Sequence, residues 1–345
     1  MPPIYLKRFS NRPAQTPVSE ACPEPVERVL RRPGPVVKES GSSAYLRTGV
    51  WNNWFHFLFN PCIIRWNKSQ DKRARSMAIS NSIVIVNCNT KPALLSLLKS
   101  LHLEESTSGE IIVIDCASFD GSVELAEQFP TVKFMPMKIN RGFFAAANRG
   151  IDRCGGDVVV VCHADIITDI HTLSDLADQT REAAGRKIAA VFPRLKRIDD
   201  SEQGFVGKLP HLASAIKGAF YPPAGLKCGV PTLDHLTENE WARFVCVAFN
   251  RDLLSATGLM DEKFFLYCGD TDLCARMHKK KLRIAISKDI HVRHAGAGIG
   301  KEIPPHLMRI LRNDQQRYAA KHFPAWQKPL VQVMGSLGGL FNRSK

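Results

Sequence analysis

Along the middle of the chain, apolar residues fall into short unbroken runs separated by polar turns. Ser82–Val86 reads SIVIV, Glu110–Asp115 reads EIIVID, and Asp157–Asp165 reads DVVVVCHAD. Continuous β-branched runs of this kind predict strands buried on both faces of a parallel sheet. Residues 91–103, 122–129 and 144–154 carry helical apolar spacing, and a short strand is predicted over 132–135. Strand and helix therefore alternate through short Gly/Asn/Asp turns, the pattern of an α/β fold with right-handed crossovers. Each main strand runs into a polar cluster: Asn87-Cys88-Asn89, then Asp115-Cys116-Ala117-Ser118, then His163-Ala164-Asp165. Ligands of such sheets gather at the carboxyl ends of the strands, so the three clusters are expected to face one crevice. The residues around Asp165 alone leave two readings open, a ligand-holding carboxylate and the N-cap of the next helix.

Outside this core the pattern weakens. Residues 1 to about 50 are rich in Pro, Ser, Arg and Glu without periodicity and read as a poorly ordered leader. The aromatic stretch 51–66, WNNWFHFLFNPCIIRW, is followed by Lys68, Lys72, Arg73 and Arg75. It reads either as an interfacial anchor or as a segment packed on the catalytic domain. Residues 195–243 hold four prolines and little periodicity, strand-like segments cover 283–287 and 290–292, and an amphipathic helix is predicted over 307–322. The chain divides accordingly into a basic leader with its aromatic segment (1–76), a catalytic domain (77–300) and a basic helical tail (301–345).

Charge sharpens that division. Residues 1–76 carry 13 Lys+Arg against 5 Asp+Glu, residues 301–345 carry 8 against 2, and residues 77–300 carry 26 of each. The excess sits in the flanks, which suits an anionic surface, first an inner-leaflet membrane and only second nucleic acid. Nucleic acid is disfavoured because the folded body is neutral. MPPIYLKRFSNRP has no apolar signal-peptide core, and no run approaches the length of a membrane span. The ten cysteines form no C-x-x-C pair and read as buried thiols of a reducing, cytoplasmic compartment. Neither G-x-G-x-x-G after the first strand nor a P-loop is present, which argues against dinucleotide binding and against a P-loop NTPase.

Six stretches, in order and at matching spacing over about 81–318, resemble the family 2 glycosyltransferases, in particular their rhamnosyltransferase-like branch with the GT-A fold. They are SIVIVNCNT, IIVIDCASFDGSVELAEQFP, NRGFFAAANRGI, GGDVVVVCHADI, the stretch from Phe249 to Ala285, and VRHAGAGIG. The resemblance implies a mostly parallel central sheet flanked by helices, and transfer of a sugar with inversion from a nucleotide diphosphate sugar to an acceptor hydroxyl, in cell-surface polysaccharide synthesis. It implies a glycan or lipid-linked acceptor and a divalent metal, Mg²⁺ or Mn²⁺, acting on the diphosphate.

Residue by residue, the resemblance implies that Asp165 and His294 hold the metal, with His163 at the position where this branch commonly has Asn. Donor binding would fall to Asn87, Asn89, Asp115, Ser118, Asn140, Arg141, Asn148 and His163. Asp270 matches the acid that takes the acceptor's proton, with Asp272 as the fallback. Two departures bear on competence: Gly269 stands where the family usually has Glu, and Cys116-Ala117 stand within the usual D-N-x-S. They keep a second reading open, a catalytically silent nucleotide-sugar-binding protein of the same fold. The AGAGIG after His294 would be a loop able to close over the donor.

Overall fold

The computed structural model describes residues 81–101, 109–211, 228–231, 234–296 and 304–327. The leader with its aromatic segment, residues 297–303 of the Gly-rich stretch and its sequel, and the end of the tail lie outside the described residues.

The predicted alternation is present at the start. Strand β1 (Asn81–Asn87) is followed by helix α1 (Lys91–Ser100), β2 (Gly109–Asp115), β3 (Lys133–Pro136), α2 (Phe143–Ile151) and β4 (Val158–His163). The helix predicted over 122–129 is a shorter 3-10 turn, Ser122–Glu127. Six residues give an α-helix hardly more than one turn of bonds, so the tighter i+3 pattern prevails. Val158 to Cys162 are completely buried, as expected for a strand covered on both faces.

The second half holds elements the apolar pattern did not reveal. A two-residue strand β5 (Ile166–Ile167) follows β4, and then helix α3 (Ile170–Ala183), whose N-cap is Asp169 accepting from Thr172 N. The capping role open to Asp165 is thus taken four residues later. Next come β6 (Ile188–Lys196), β7 (Val206–Lys208), β8 (Glu240–Ala242), β9 (Cys246–Asn250), α4 (Arg251–Thr257), α5 (Gly269–Lys279), β10 (Arg283–His294) and α6 (Pro305–His322).

Eight strands form one sheet in the order β3-β2-β1-β4-β9-β6-β10-β5. Four pairings are parallel (β3-β2, β2-β1, β1-β4, β6-β10) and three antiparallel (β4-β9, β9-β6, β10-β5). The fold is α/β with a mostly parallel sheet flanked by helices. Register places the polar clusters at one level: Asn87 pairs with Asp115, and Val86 pairs with His163.

Helix α6 lies against the rest of the domain. Its stripe Leu307, Leu311, Asp314 and Tyr318 is buried, the three-and-four spacing of one helix face. At its end His322 Nε2 lies 2.6 Å from Asp272 Oδ1, and Lys321 Nζ lies 2.9 Å from the same oxygen. Arg276 Nε donates to Asp272 Oδ2 at 2.8 Å. Burial would raise the Asp272 carboxyl, but His322, Arg276 and Lys321 outweigh it and hold it down at about 2. A carboxylate so held is a poor proton acceptor, and Asp272 fastens α5 to α6.

Because the folded pKa is depressed from 3.8 to about 2, the associated stability is present above the ordinary carboxyl pKa and lost as pH falls through about 2. It amounts to about 2 kcal/mol. Asp272→Asn is expected to lower the thermal midpoint at pH 7, and the gap to the parent should narrow as pH falls from 4 toward 2. Thermal unfolding followed by circular dichroism checks this; a gap equally wide at pH 7 and pH 2.5 would contradict it.

Candidate active site

The site begins where β4 ends. After five buried residues the chain turns at His163-Ala164-Asp165, and the turn is tied to its neighbours through backbone bonds. His163 N donates to Val245 O at 3.0 Å, Ala164 N to Val86 O at 3.2 Å, and Ala295 N to Asp165 O at 3.0 Å. The last bond continues the short antiparallel pairing of His294 with Ile166. It brings the end of β10 against the turn after β4.

Three side chains meet there. His294 Nε2 lies 3.3 Å from Asp165 Oδ2, and His163 Nδ1 lies 3.8 Å from Asp165 Oδ1. One ligand atom from each of His163, Asp165 and His294 falls within 4.8 Å of the others. Metal bonds of about 2.1 Å put neighbouring ligands about 3 Å apart, so a small inward movement lets all three reach one cation. Burial pushes the His163 imidazolium down to about 4, with Asp165 opposing and His294 and Arg243 adding to the fall. A neutral imidazole is the state a metal needs.

Two neighbours orient the rings. The Gln203 amide lies at His294 Nδ1, with Nε2 at 3.2 Å and Oε1 at 3.3 Å. With Oε1 accepting the Nδ1 proton, Nε2 presents its lone pair toward Asp165. The Phe143 ring sits 4.8 Å from the His163 ring at 58°. Two imidazoles and one carboxylate with open positions fit a divalent cation such as Mn²⁺.

Next to the triad, the ends of β1 and β2 form an interlocked loop pair. Asn87 Nδ2 donates to Asp115 Oδ2 at 2.7 Å and to Ser118 Oγ at 3.3 Å, and Asn87 Oδ1 accepts from Thr90 Oγ1 at 2.7 Å. Ser118 N donates to Asp115 Oδ1 at 2.8 Å, Asn89 N to Ser118 Oγ at 2.8 Å, and Phe119 N to Asn89 Oδ1 at 2.9 Å. Asn87 is completely buried and braces Asp115 and Ser118. Asn140 joins this group, donating through Nδ2 to Cys88 Sγ at 3.4 Å and accepting from Gly142 N at 2.9 Å. Cys116, Cys154, Cys162, Cys228, Cys246, Cys268 and Cys274 are free thiols.

Two other expected donor ligands, Asn148 and Arg141, both meet Glu262. Asn148 is buried in α2, donating to Met260 O at 2.8 Å and Glu262 Oε1 at 3.2 Å while accepting from Met260 N at 3.1 Å. It fastens α2 to the loop after α4. Exposed Arg141 pairs with the same Glu262 at 3.3 Å. Sequence reasoning missed Gln203, Glu262 and Arg243. Arg243 contacts Cys228 Sγ at 3.4 Å and acts electrostatically on both His163 and Tyr267. Only its place in a β8–β9 turn of otherwise apolar residues could have singled it out.

On the other side, Asp270 opens α5. It is buried, and its Oδ1 accepts from Thr271 N at 2.7 Å and Thr271 Oγ1 at 3.3 Å. Asp270 and Arg243 both act on Cys228, which puts the β8–β9 turn and the start of α5 in one neighbourhood. Cys268 leads into the helix in the left-handed region, φ 62°. Gly269 stands where the resemblance expects Glu, and packing explains it: a Cβ there would lie 2.5 Å from Phe144 Cε2. Phe144, buried in α2, fills the space a side chain at 269 would need.

The mostly parallel sheet flanked by helices is a GT-A type fold, with a two-histidine, one-carboxylate cluster at its carboxyl edge. Residues 82–212 match the family model described as "Glycosyl transferase family 2". The "N-acetylglucosaminyl-diphospho-decaprenol L-rhamnosyltransferase" of two Mycobacterium tuberculosis strains is 25% identical over 279 residues, spanning 74% of this chain and 89% of its own. The fold is shared with a crystal structure of GalNAc-T7 with UDP, GalNAc and Mn²⁺, at TM-score 0.50 and 15% identity, covering 74% of this chain and 55% of that one. S. aureus TarS 1-349 also aligns, at TM-score 0.44 and 16% identity, over 70% and 72% of the two chains.

The Phe144–Gly269 contact yields a cycle. Gly269→Ala is expected to cost about 1 to 3 kcal/mol of stability by overpacking. The same substitution made in Phe144→Ala should cost far less, a coupling that denaturant unfolding of the four proteins reads directly.

Proposed function

We propose that this enzyme moves a sugar, L-rhamnose in the first instance, from a nucleoside diphosphate donor to a lipid-linked acceptor in the assembly of a cell-surface polysaccharide. The observation that carries this reading is the meeting of His163, Asp165 and His294 beside the braced Asn87–Asp115–Ser118 loops. The M. tuberculosis relative, whose name gives a rhamnosyl transfer to N-acetylglucosaminyl-diphospho-decaprenol, supports the choice of sugar and acceptor.

In this reading Asp165, His294 and His163 hold a divalent cation, Mn²⁺ in preference to Mg²⁺ because two of three donors are imidazoles. A cation held by these residues would neutralise charge growing on the diphosphate. Asp115, Ser118, Asn89 and Asn140 frame the nucleoside end of the donor, with carboxylate and amide groups suited to base and ribose. Asp270 accepts the proton of the acceptor hydroxyl as its oxygen bonds to the anomeric carbon from the face opposite the leaving group. The nucleoside diphosphate departs with the bonding pair, and the configuration inverts. The packing of Gly269 on Phe144 supports a working site, since the missing Glu is replaced by a filled space.

No helix among the described residues is long and apolar enough to cross a membrane. The basic flanks, 13 against 5 and 8 against 2, support a cytoplasmic enzyme that meets its acceptor peripherally, at the anionic inner face of a membrane.

A thermal-shift panel of nucleoside diphosphate sugars with and without Mn²⁺ tests the reading, because a ligand of the native state raises its midpoint. Asp165→Ala is expected to abolish the Mn²⁺-dependent shift and transfer. Asp270→Asn should keep donor binding within a few-fold and lose turnover by about 10² or more. Normal turnover by Asp270→Asn removes the base assignment, and a flat response of the parent to every donor removes the transferase reading.

A further inference from the structure

Helix α6 buries a carboxylate in its apolar stripe. Asp314 has no solvent exposure, and it is spent on a loop. Phe265 N donates to Oδ1 at 3.2 Å and Oδ2 at 3.1 Å, Leu266 N to Oδ2 at 3.1 Å, and Tyr267 N to Oδ2 at 3.0 Å. Arg317 Nη1 adds a contact to Oδ1 at 2.8 Å. Three successive amides converging on one anion form a nest and hold the segment in a single conformation.

That segment feeds both halves of the site. In one direction Phe265 O accepts from Phe143 N at 2.8 Å. This bond fixes the start of α2, where Gly142 has φ 88° and a Cβ would strike Phe265 O at 2.1 Å. Phe143 in turn packs on the ring of His163. In the other direction Tyr267 leads through left-handed Cys268 and Gly269 to Asp270.

We propose that Asp314 is a positioning residue for the transfer reaction, setting the 265–268 segment so that Asp270 meets the acceptor while α2 steadies His163. This rests on the assignment of Asp270 as base. A stability role alone accounts poorly for the arrangement. Burial raises the Asp314 carboxyl above its ordinary value even though Tyr267, Leu266, Phe265 and Arg317 pull it down. The ionised group is therefore disfavoured by folding and subtracts from stability at neutral pH.

The test compares Asp314→Asn with His322→Gln, which loosens the same helix at its far end without touching the loop. Both full-length proteins are assayed for thermal midpoint, UDP affinity in Mn²⁺, and kcat and acceptor KM. The substrates are the donor chosen by the thermal-shift panel and a synthetic N-acetylglucosaminyl diphosphate prenol. Asp314→Asn should keep UDP affinity within about threefold and lose at least tenfold in kcat, with acceptor KM moving less. His322→Gln should lose midpoint with kcat within about twofold of the parent. A folded Asp314→Asn with parental kcat overturns the proposal, and so does a loss of kcat that tracks the midpoint equally in both variants. If Asp314→Asn does not fold, Asp314→Glu carries the same comparison, since it keeps the charge and displaces the carboxylate. Asp270→Asn measured alongside separates the two claims. Normal turnover there removes the base reading, whereas an inert Asp270→Asn beside a normal Asp314→Asn removes the positioning claim alone.

Discussion

The contact between the turn after β4 and the end of β10 is the constraint on which the active site depends. Asp165 O accepts from Ala295 N, His294 pairs with Ile166, and His294 Nε2 reaches Asp165 Oδ2 at 3.3 Å. A carboxylate and an imidazole far apart in the chain are thereby held in one place by backbone bonds. The positions of His163, next to Phe143, and of Gln203, at the far nitrogen of His294, follow from that junction. Loss of the β5–β10 pairing would leave Asp165 and His163 on their turn without His294.

Around this junction the chain uses its buried charges in two opposite ways. Asp272 is overcompensated by His322, Arg276 and Lys321, so its carboxylate is depressed to about 2 and adds to stability. Asp314 is bound mainly by backbone amides and stays above its ordinary value, so its burial carries a cost. One joins helix to helix, and the other shapes a loop that ends at Asp270. Both contacts come from α6, and the domain's catalytic half therefore needs a helix from beyond residue 300.

Much of the fold was legible in the sequence where burial on both faces writes itself as an unbroken apolar run, as in β1, β2 and β4. Strand direction was not legible. The run CVAFN of β9 looks no different from its parallel neighbours, yet it inserts antiparallel between β4 and β6. At the site, Asp165 and His294, singled out by the resemblance, lie beside each other and beside His163. The bonds that engage Asn87, Asn148 and Asp272 were not legible, because sequence carries the chemistry of a side chain but not the direction it points. Asp314 could have been noticed: spacing puts it with Leu307, Leu311 and Tyr318, and an acid on the apolar face of an amphipathic helix asks for a partner. Gly269 looked like a lost catalytic group until Phe144 was seen to occupy its space.

The central claim, that this junction assembles a three-residue cation site at the mouth of the donor crevice, is tested most directly by crystals grown with Mn²⁺ and UDP. Anomalous scattering collected near the manganese edge locates the ion without reference to activity. The account predicts one strong peak about 2.1 to 2.3 Å from His163, Asp165 Oδ and His294 Nε2. A peak bound by Asp165 alone, or an ion held elsewhere with both imidazoles turned away, would contradict it.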